Sequence, residues 1–143
     1  MYSMKQACEQ LGINYDTLKF YCRAGLVPDI KRNSNNYRYF NDEDIAWIRG
    51  LLCLKHCGMG IREMRSFVEL CQLGHQSIPE RLQILSEKQK ALKTHIADLK
   101  LALDFIEYKR RSLNEALDNQ QDATMLLTSD NNEKFRFSEN RMR

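Results

Sequence analysis

The sequence has little of what interrupts a helix. Two prolines and six glycines in 143 residues exclude collagen-like and Pro-rich repeats and leave room for long helices. No apolar run approaches the roughly 18 residues that a membrane span requires, so no membrane partner is expected. Met1-Tyr2-Ser3-Met4-Lys5-Gln6 has no charged leader running into an apolar stretch, so no secretory signal is expected. An excess of one charge is also missing: 22 Lys and Arg stand against 19 Asp and Glu, and a net +3 does not by itself point to nucleic acid. With 43% apolar and 29% charged residues, the chain reads as one compact domain, or a small domain plus an extended element.

Catalytic and metal-binding patterns are equally scarce. There are three histidines, no Ser/His/Asp order, no phosphate loop and no Cys-x-x-Cys, so neither an enzyme nor a cofactor is expected. The five cysteines are odd in number and lie at Cys8, Cys22, Cys53, Cys57 and Cys71, all in the first half. Without a secretory signal this implies a reducing compartment and no disulfide framework. Cys53 and Cys57 bracket His56, but a closed zinc site needs further ligands that the sequence does not supply, so no metal is expected.

Three segments follow from composition: 1–76, broken by turns; 77–117, free of glycine and with Pro79 alone; and 118–143, polar and aperiodic, expected to be a flexible tail. In the first, Ser3 caps a helix Met4–Gln10 that stops at Leu11-Gly12, and Asn14 caps a second helix from Tyr15 to about Arg23. Two short helices around a tight turn make a helix-turn-helix, with Ala7, Leu11 and Leu18 facing inward. Two short runs from Asp29 to Phe40 flank Asn33-Ser34-Asn35-Asn36, which predicts a hairpin with a loose tip. It carries Lys31, Arg32 and Arg38 with no acid after Asp29, as a basic wing would.

Asn41 caps a third helix whose first turn holds Asp42, Glu43 and Asp44, matching the helix dipole. Ile45, Ile48 and Leu52, with Cys53 beside them, form its expected inner stripe, and Gly58 ends it. A fourth helix runs from Ile61 to about Cys71. From Ile78 the period changes: Leu82, Leu85, Gln89, Leu92, Ile96, Leu99, Leu103, Ile106, Arg110, Leu113 and Leu117 alternate steps of four and three. Forty residues at 1.5 Å each make a rod of roughly 60 Å, whose stripe needs a second copy to cover it. The fold is therefore mainly α, and Leu82, Leu85, Leu92, Ile96, Leu99, Leu103 and Ile106 are the expected homodimer interface.

Several pieces together resemble the MerR family of bacterial transcription activators. They are Asn14-Tyr15-Asp16-Thr17-Leu18-Lys19-Phe20-Tyr21, Gly25-Leu26-Val27-Pro28, Asn36-Tyr37-Arg38-Tyr39-Phe40, Asp42-Glu43-Asp44-Ile45 and Gly58-Met59-Gly60-Ile61-Arg62-Glu63-Met64. The resemblance implies a winged helix-turn-helix, dimerised by an antiparallel coiled coil, in the bacterial cytoplasm and on the nucleoid. Such a dimer binds an inverted repeat in double-stranded promoter DNA and distorts it for RNA polymerase, so that deformation energy is the regulated quantity. Matched by position, Tyr15, Asp16 and Lys19 lie on the groove-facing side of the second helix, Tyr21 supports packing and Arg23 contacts the backbone. Lys19 replaces the usual Arg, and Asp16 either accepts from a base or caps the helix. Tyr37 and Arg38 match a phosphate-gripping pair, and Lys31 and Arg32 either join them or belong to a solvated hairpin. Asn36 stands where glycine is frequent, which requires a positive φ.

Metal-sensing and iron–sulfur members carry cysteines after the dimerisation helix; here no cysteine follows Cys71. Multidrug-binding members carry a large C-terminal domain, for which 118–143 is too short. Asp44-Ile45-Ala46-Trp47-Ile48-Arg49-Gly50-Leu51-Leu52-Cys53-Leu54-Lys55 resembles the subgroup that answers reactive aldehydes or nitrosative stress, with Cys53 at the sensor position. Such electrophiles need a thiolate, and Arg49 and His56, one turn to either side, favour one. Two alternatives stay open: a relative that senses a metal or small ligand, and a coiled-coil interaction protein whose head binds protein instead of DNA.

Overall fold

The computed structural model describes residues 1–119 and 130–138. The chain divides into two compact units, Met1–Leu85 and Ser86–Arg143. The division falls beyond residue 76, where the composition changes, because Ile84 still packs against the core of the first unit.

Local hydrogen bonds set the helix ends. Helix α1 (Met4–Leu11) starts in a reciprocal box: Ser3 Oγ accepts from the Gln6 N–H at 3.2 Å, and the Gln6 side chain accepts from the Ser3 N–H at 2.9 Å. It ends at Gly12, whose φ of 67° is open to glycine at little cost. Helix α2 (Tyr15–Arg23) begins where Asn14 Oδ1 accepts from the Thr17 N–H at 2.8 Å. Helix α3 (Asp42–His56) repeats the box between Asn41 and Asp44, and α4 (Ile61–Gln72) follows a sharp turn at Gly58. Helix α5 runs unbroken for 41 residues, Ile78–Asp118.

Between α2 and α3 lies the wing, β2 (Lys31–Arg32) and β3 (Arg38–Phe40). A third strand that the sequence does not announce, β1 (Tyr2–Ser3), pairs antiparallel with β3 and gives the order β1-β3-β2. The expected loose tip is instead an ordered turn. Asn33 Oδ1 accepts from the N–H groups of Asn35 and Tyr37, each at 3.0 Å, and Asn36 takes φ 64°. Asn36 stands in for the missing glycine because Asn tolerates positive φ, while the Asn33 side chain ties the turn by accepting from two backbone donors.

The core of this unit is fully buried Phe40, Leu18, Leu26, Ile48 and Met64, closed by Ala7, Tyr21 and Val68. On α3 the buried positions are Ile45, Ile48 and Leu51. Leu52 is half-buried at the margin of the core and Cys53 is exposed, so the inner stripe lies to one side of the expected one. In the second unit, a 3-10 turn (Asp130–Lys134) and the residues to Ser138 lie on α5. The flexible tail expected over 118–143 falls partly on 120–129 and 139–143, which lie outside the described residues.

Candidate nucleic-acid interface

The exposed side of α2 carries the residues that the sequence singles out. Tyr15 is 52% exposed, Asp16 and Arg23 are exposed, and Lys19 is half-buried with its Nζ 5.9 Å above the Tyr15 ring. The ring and the ammonium are one helical turn apart, so each restricts the other's rotamers. Asp16 is exposed in the first turn of α2, while Asn14 supplies the cap, so Asp16 is left free to face a ligand.

The wing adds a second charged group. Lys31 and Arg32 are exposed, Tyr37 is 69% exposed and Arg38 is half-buried. The ladder pairs Lys31 with Tyr39 and Arg32 with Arg38, so two arginines are directly opposed in register on one face of the hairpin. Arg32 Nη1 donates to the Asn36 carbonyl at 2.9 Å, and among the described residues no carboxylate pairs with either arginine. A concavity of about 490 Å³ joins the wing to α2, bounded by Tyr15, Asn33, Tyr37 and Arg38 and by Lys5 at the start of α1. Lys5 is a cation that sequence reasoning missed; only the pairing of β1 with β3 brings the N-terminus here.

A second cleft, about 470 Å³, lies between α2 and the α3–α4 turn. Lys55, Gly60 and Ile61 line it opposite Asn14, Thr17 and Phe20. Gly60 caps α4 without a side-chain bond, so the first N–H groups of α4 keep their positive end. Tyr21 also lines this cleft; its hydroxyl is buried without a hydrogen-bond partner among the described residues, and burial pushes the phenol up. Nothing in the sequence marks Lys55 or this hydroxyl, because their neighbours come from distant parts of the chain.

Three side chains brace the helix-turn-helix from below. Arg49 Nη2 donates to the Gln10 carbonyl (3.2 Å) and Arg65 Nε to the Ala24 carbonyl (3.2 Å), each a cation at a helix C-terminus. Trp47 Nε1 donates to the Leu26 carbonyl at 2.8 Å. Near the expected sensor, Cys53 and His56 are exposed on α3, and Arg49, one turn before Cys53, is engaged with Gln10. Burial pushes the thiols of Cys22 and Cys8 up; for Cys22, Arg38 and Arg32 pull weakly the other way.

On α5, Leu82, Leu85, Ile96, Leu99, Leu103 and Ile106 are between 43% and 67% exposed, and Leu92 is half-buried. Among the described residues no three His, Cys, Asp or Glu side chains gather as a metal site, and no helix is long and apolar enough to cross a membrane.

The geometry finds its counterparts among known proteins. The sequence profile of the MerR HTH family regulatory proteins matches residues 2–70. An HTH-type transcriptional regulator of Haemophilus influenzae is 39% identical over 108 residues, spanning 76% of this chain and 80% of that protein. The HTH-type transcriptional regulator AdhR of Bacillus subtilis is 30% identical over 90 residues, 63% of this chain and 64% of that one. The crystal structure of HiNmlR, a MerR family regulator lacking the sensor domain and bound to promoter DNA, superposes with a TM-score of 0.71 at 36% identity. It covers 84% of this chain and 95% of its own.

Proposed function

The chain belongs to the MerR family of helix-turn-helix transcriptional regulators, which are not enzymes, and on that premise we propose how it binds DNA and what it senses. It binds an inverted repeat in promoter DNA as a homodimer. Each protomer lays Tyr15, Asp16 and Lys19 of α2 into a major groove, and Arg23, Lys31, Arg32, Tyr37 and Arg38 hold the flanking phosphates. The carrying observation is the wing ladder: Arg32 and Arg38 are opposed without a carboxylate, an arrangement that a phosphate relieves. Lys5 extends that anion site, and the cleft at Lys55 and the α4 N-terminus suits a further phosphate. The HiNmlR complex with promoter DNA supports the reading.

Homodimerisation rests on the open seam of α5 from Leu82 to Ile106, which leaves apolar side chains in water unless a second copy covers them. The dimer distorts the spacer between its half-sites, so that DNA deformation energy couples its state to RNA polymerase.

The signal is an electrophile, an aldehyde or nitrosating agent, taken up by the Cys53 thiol, with Arg49 and His56 as its neighbours on α3. Support comes from the exposure of Cys53 and from the likeness to AdhR and HiNmlR. Modification at Cys53 is relayed through α3, because Arg49 on the same helix holds the C-terminus of α1.

Binding is tested by fluorescence anisotropy on a palindromic duplex at several salt concentrations. A phosphate binder loses affinity with a log–log slope of about −0.9 per phosphate neutralised, and a flat profile would favour the protein-binding alternative. Sensing is tested by promoter activity in Cys53→Ser against formaldehyde, methylglyoxal and S-nitrosoglutathione. Full induction by all three in the variant would remove Cys53 from the mechanism.

A further inference from the structure

The second unit contains an apolar face that its own chain covers. Ser138 grips Asp98 with both of its donors: the backbone N–H reaches Oδ1 at 2.9 Å, and the hydroxyl donates to Oδ2. The Phe135 ring stands edge-on to Phe105 at 5.3 Å and tilted against Tyr108 at 5.8 Å. Lys134 Nζ lies 4.4 Å from the Tyr108 centroid, and Lys109 Nζ lies 5.4 Å from Phe105 and 5.2 Å from Tyr108. Lys109 is only 8% exposed, a rare degree for a lysine, and Ala116 is equally covered.

This is not the seam. Asp98, Phe105, Lys109 and Ala116 each sit one position before a seam residue, Leu99, Ile106, Arg110 and Leu117, so the two faces lie about 100° apart around the helix. Helix α5 therefore has two stripes. One is open, with Leu99 at 52% and Leu103 at 67% exposure; the other is occupied by residues 132–138. A helix apolar on two such faces packs into a four-helix assembly when both are open.

We infer that residues 132–138 are a strap that closes a second self-association surface on α5, and that its release lets a second copy of the dimer dock there. The face is self-complementary. Antiparallel pairing that sets Asp98 of one copy against Lys109 of the other also sets Phe105 against Ala102, large against small, and places opposite charges together. In such an isologous contact each pairing occurs twice. The Asp98 carboxylate that holds Ser138 in the closed form would hold the other copy's lysine in the open one, so strap and copy exclude each other.

The experiment uses the full chain with Phe135→Ala and Ser138→Ala combined, which leaves Asp98, Lys109 and the seam intact. Sedimentation equilibrium gives mass, and hydrogen exchange over 132–138 reports the strap. Expected are faster exchange in that segment and a twofold rise in mass over wild type at tens of micromolar. Adding Phe105→Glu should return the mass to the wild-type value. An unchanged mass with the strap released, or unchanged exchange, overturns the inference. Should the double variant lose helicity, Ser138→Ala alone is read by the same two measures. The inference takes the seam dimer as its baseline, yet the two fail separately. A wild-type mass of one chain counts against the seam, whereas the strap is judged by the ratio of variant to wild type.

Discussion

Arg32 and Arg38 face each other across the two strands of the wing, as directly paired residues of an antiparallel ladder. Like charges in that relation oppose folding by roughly 0.2–1 kcal/mol, and the nearest compensation is the Asn36 carbonyl on Arg32. The pair makes sense in the presence of an anion, and it separates what the free protein prefers from what the complex needs.

Arg38→Gln, which keeps much of the stem and removes the charge, should therefore act in opposite directions. Affinity for a palindromic duplex falls and the salt slope shrinks by about 0.9, the loss of one phosphate contact. The urea midpoint of the free protein stays level or rises. A fall in both would mean that Arg38 is structural.

Lys19 bears on sequence discrimination. With its ammonium braced on Tyr15, Lys19→Ala should weaken operator binding by about 1–3 kcal/mol, at least several-fold, and weaken binding to an unrelated duplex much less. The ratio of the two affinities is the measurement; equal losses on both would assign Lys19 to phosphate.

The brace from Trp47 to Leu26 gives a stability prediction. Trp47→Phe preserves most of the ring but leaves the Leu26 carbonyl without its donor, at a cost of about 1 kcal/mol or somewhat more. Urea unfolding followed by circular dichroism should show a lower midpoint with an unchanged slope. Because Leu26 follows α2, operator affinity should fall as well.

Thiol reactivity should follow exposure and burial. A brief pulse of iodoacetamide at neutral pH, read by peptide mass spectrometry, should label exposed Cys53 well before Cys22 and Cys8, whose thiols burial pushes up. Cys22 labelled first would contradict the packing described above.

The N-terminal strand carries an alkaline transition. Tyr2 donates to Asp42 Oδ1 at 2.7 Å, and that bond, together with the carboxylate's charge, raises the phenol above its ordinary 10.0. A raised folded value means that the contribution is complete below pH 10 and is lost as pH climbs through the higher value. Absorbance titration should show two tyrosines ionising late, Tyr2 and buried Tyr21, and Asp42→Asn should bring only Tyr2 back toward 10.

Much of this molecule is legible along the chain because its signals are short-range. Ser3, Asn14 and Asn41 each bond a backbone N–H three residues on, so the starts of α1, α2 and α3 can be read from adjacent letters. The positive φ at Asn36 follows from a residue that tolerates it in a turn, and the heptad spacing after Ile78 marks a 41-residue helix with an open stripe. Family membership belongs to this class too, since it rests on motifs in order.

Tertiary structure decided what depends on residues far apart in sequence. The strand at Tyr2 exists only because Phe40 lies beside it, and its arrival puts Lys5 next to the wing. On α3, the periodic pattern points to Leu52, with Cys53 beside it, and passes over Leu51. Packing against the helix-turn-helix buried Leu51 and turned Cys53 outward. The opposition of Arg32 to Arg38 is a matter of strand register, and the hold of Ser138 on Asp98 joins residues 40 apart. The physical reason is common to all of these. Caps and periods are satisfied within a turn or two of backbone, whereas burial, register and long-range hydrogen bonds depend on which surfaces meet once the chain has folded.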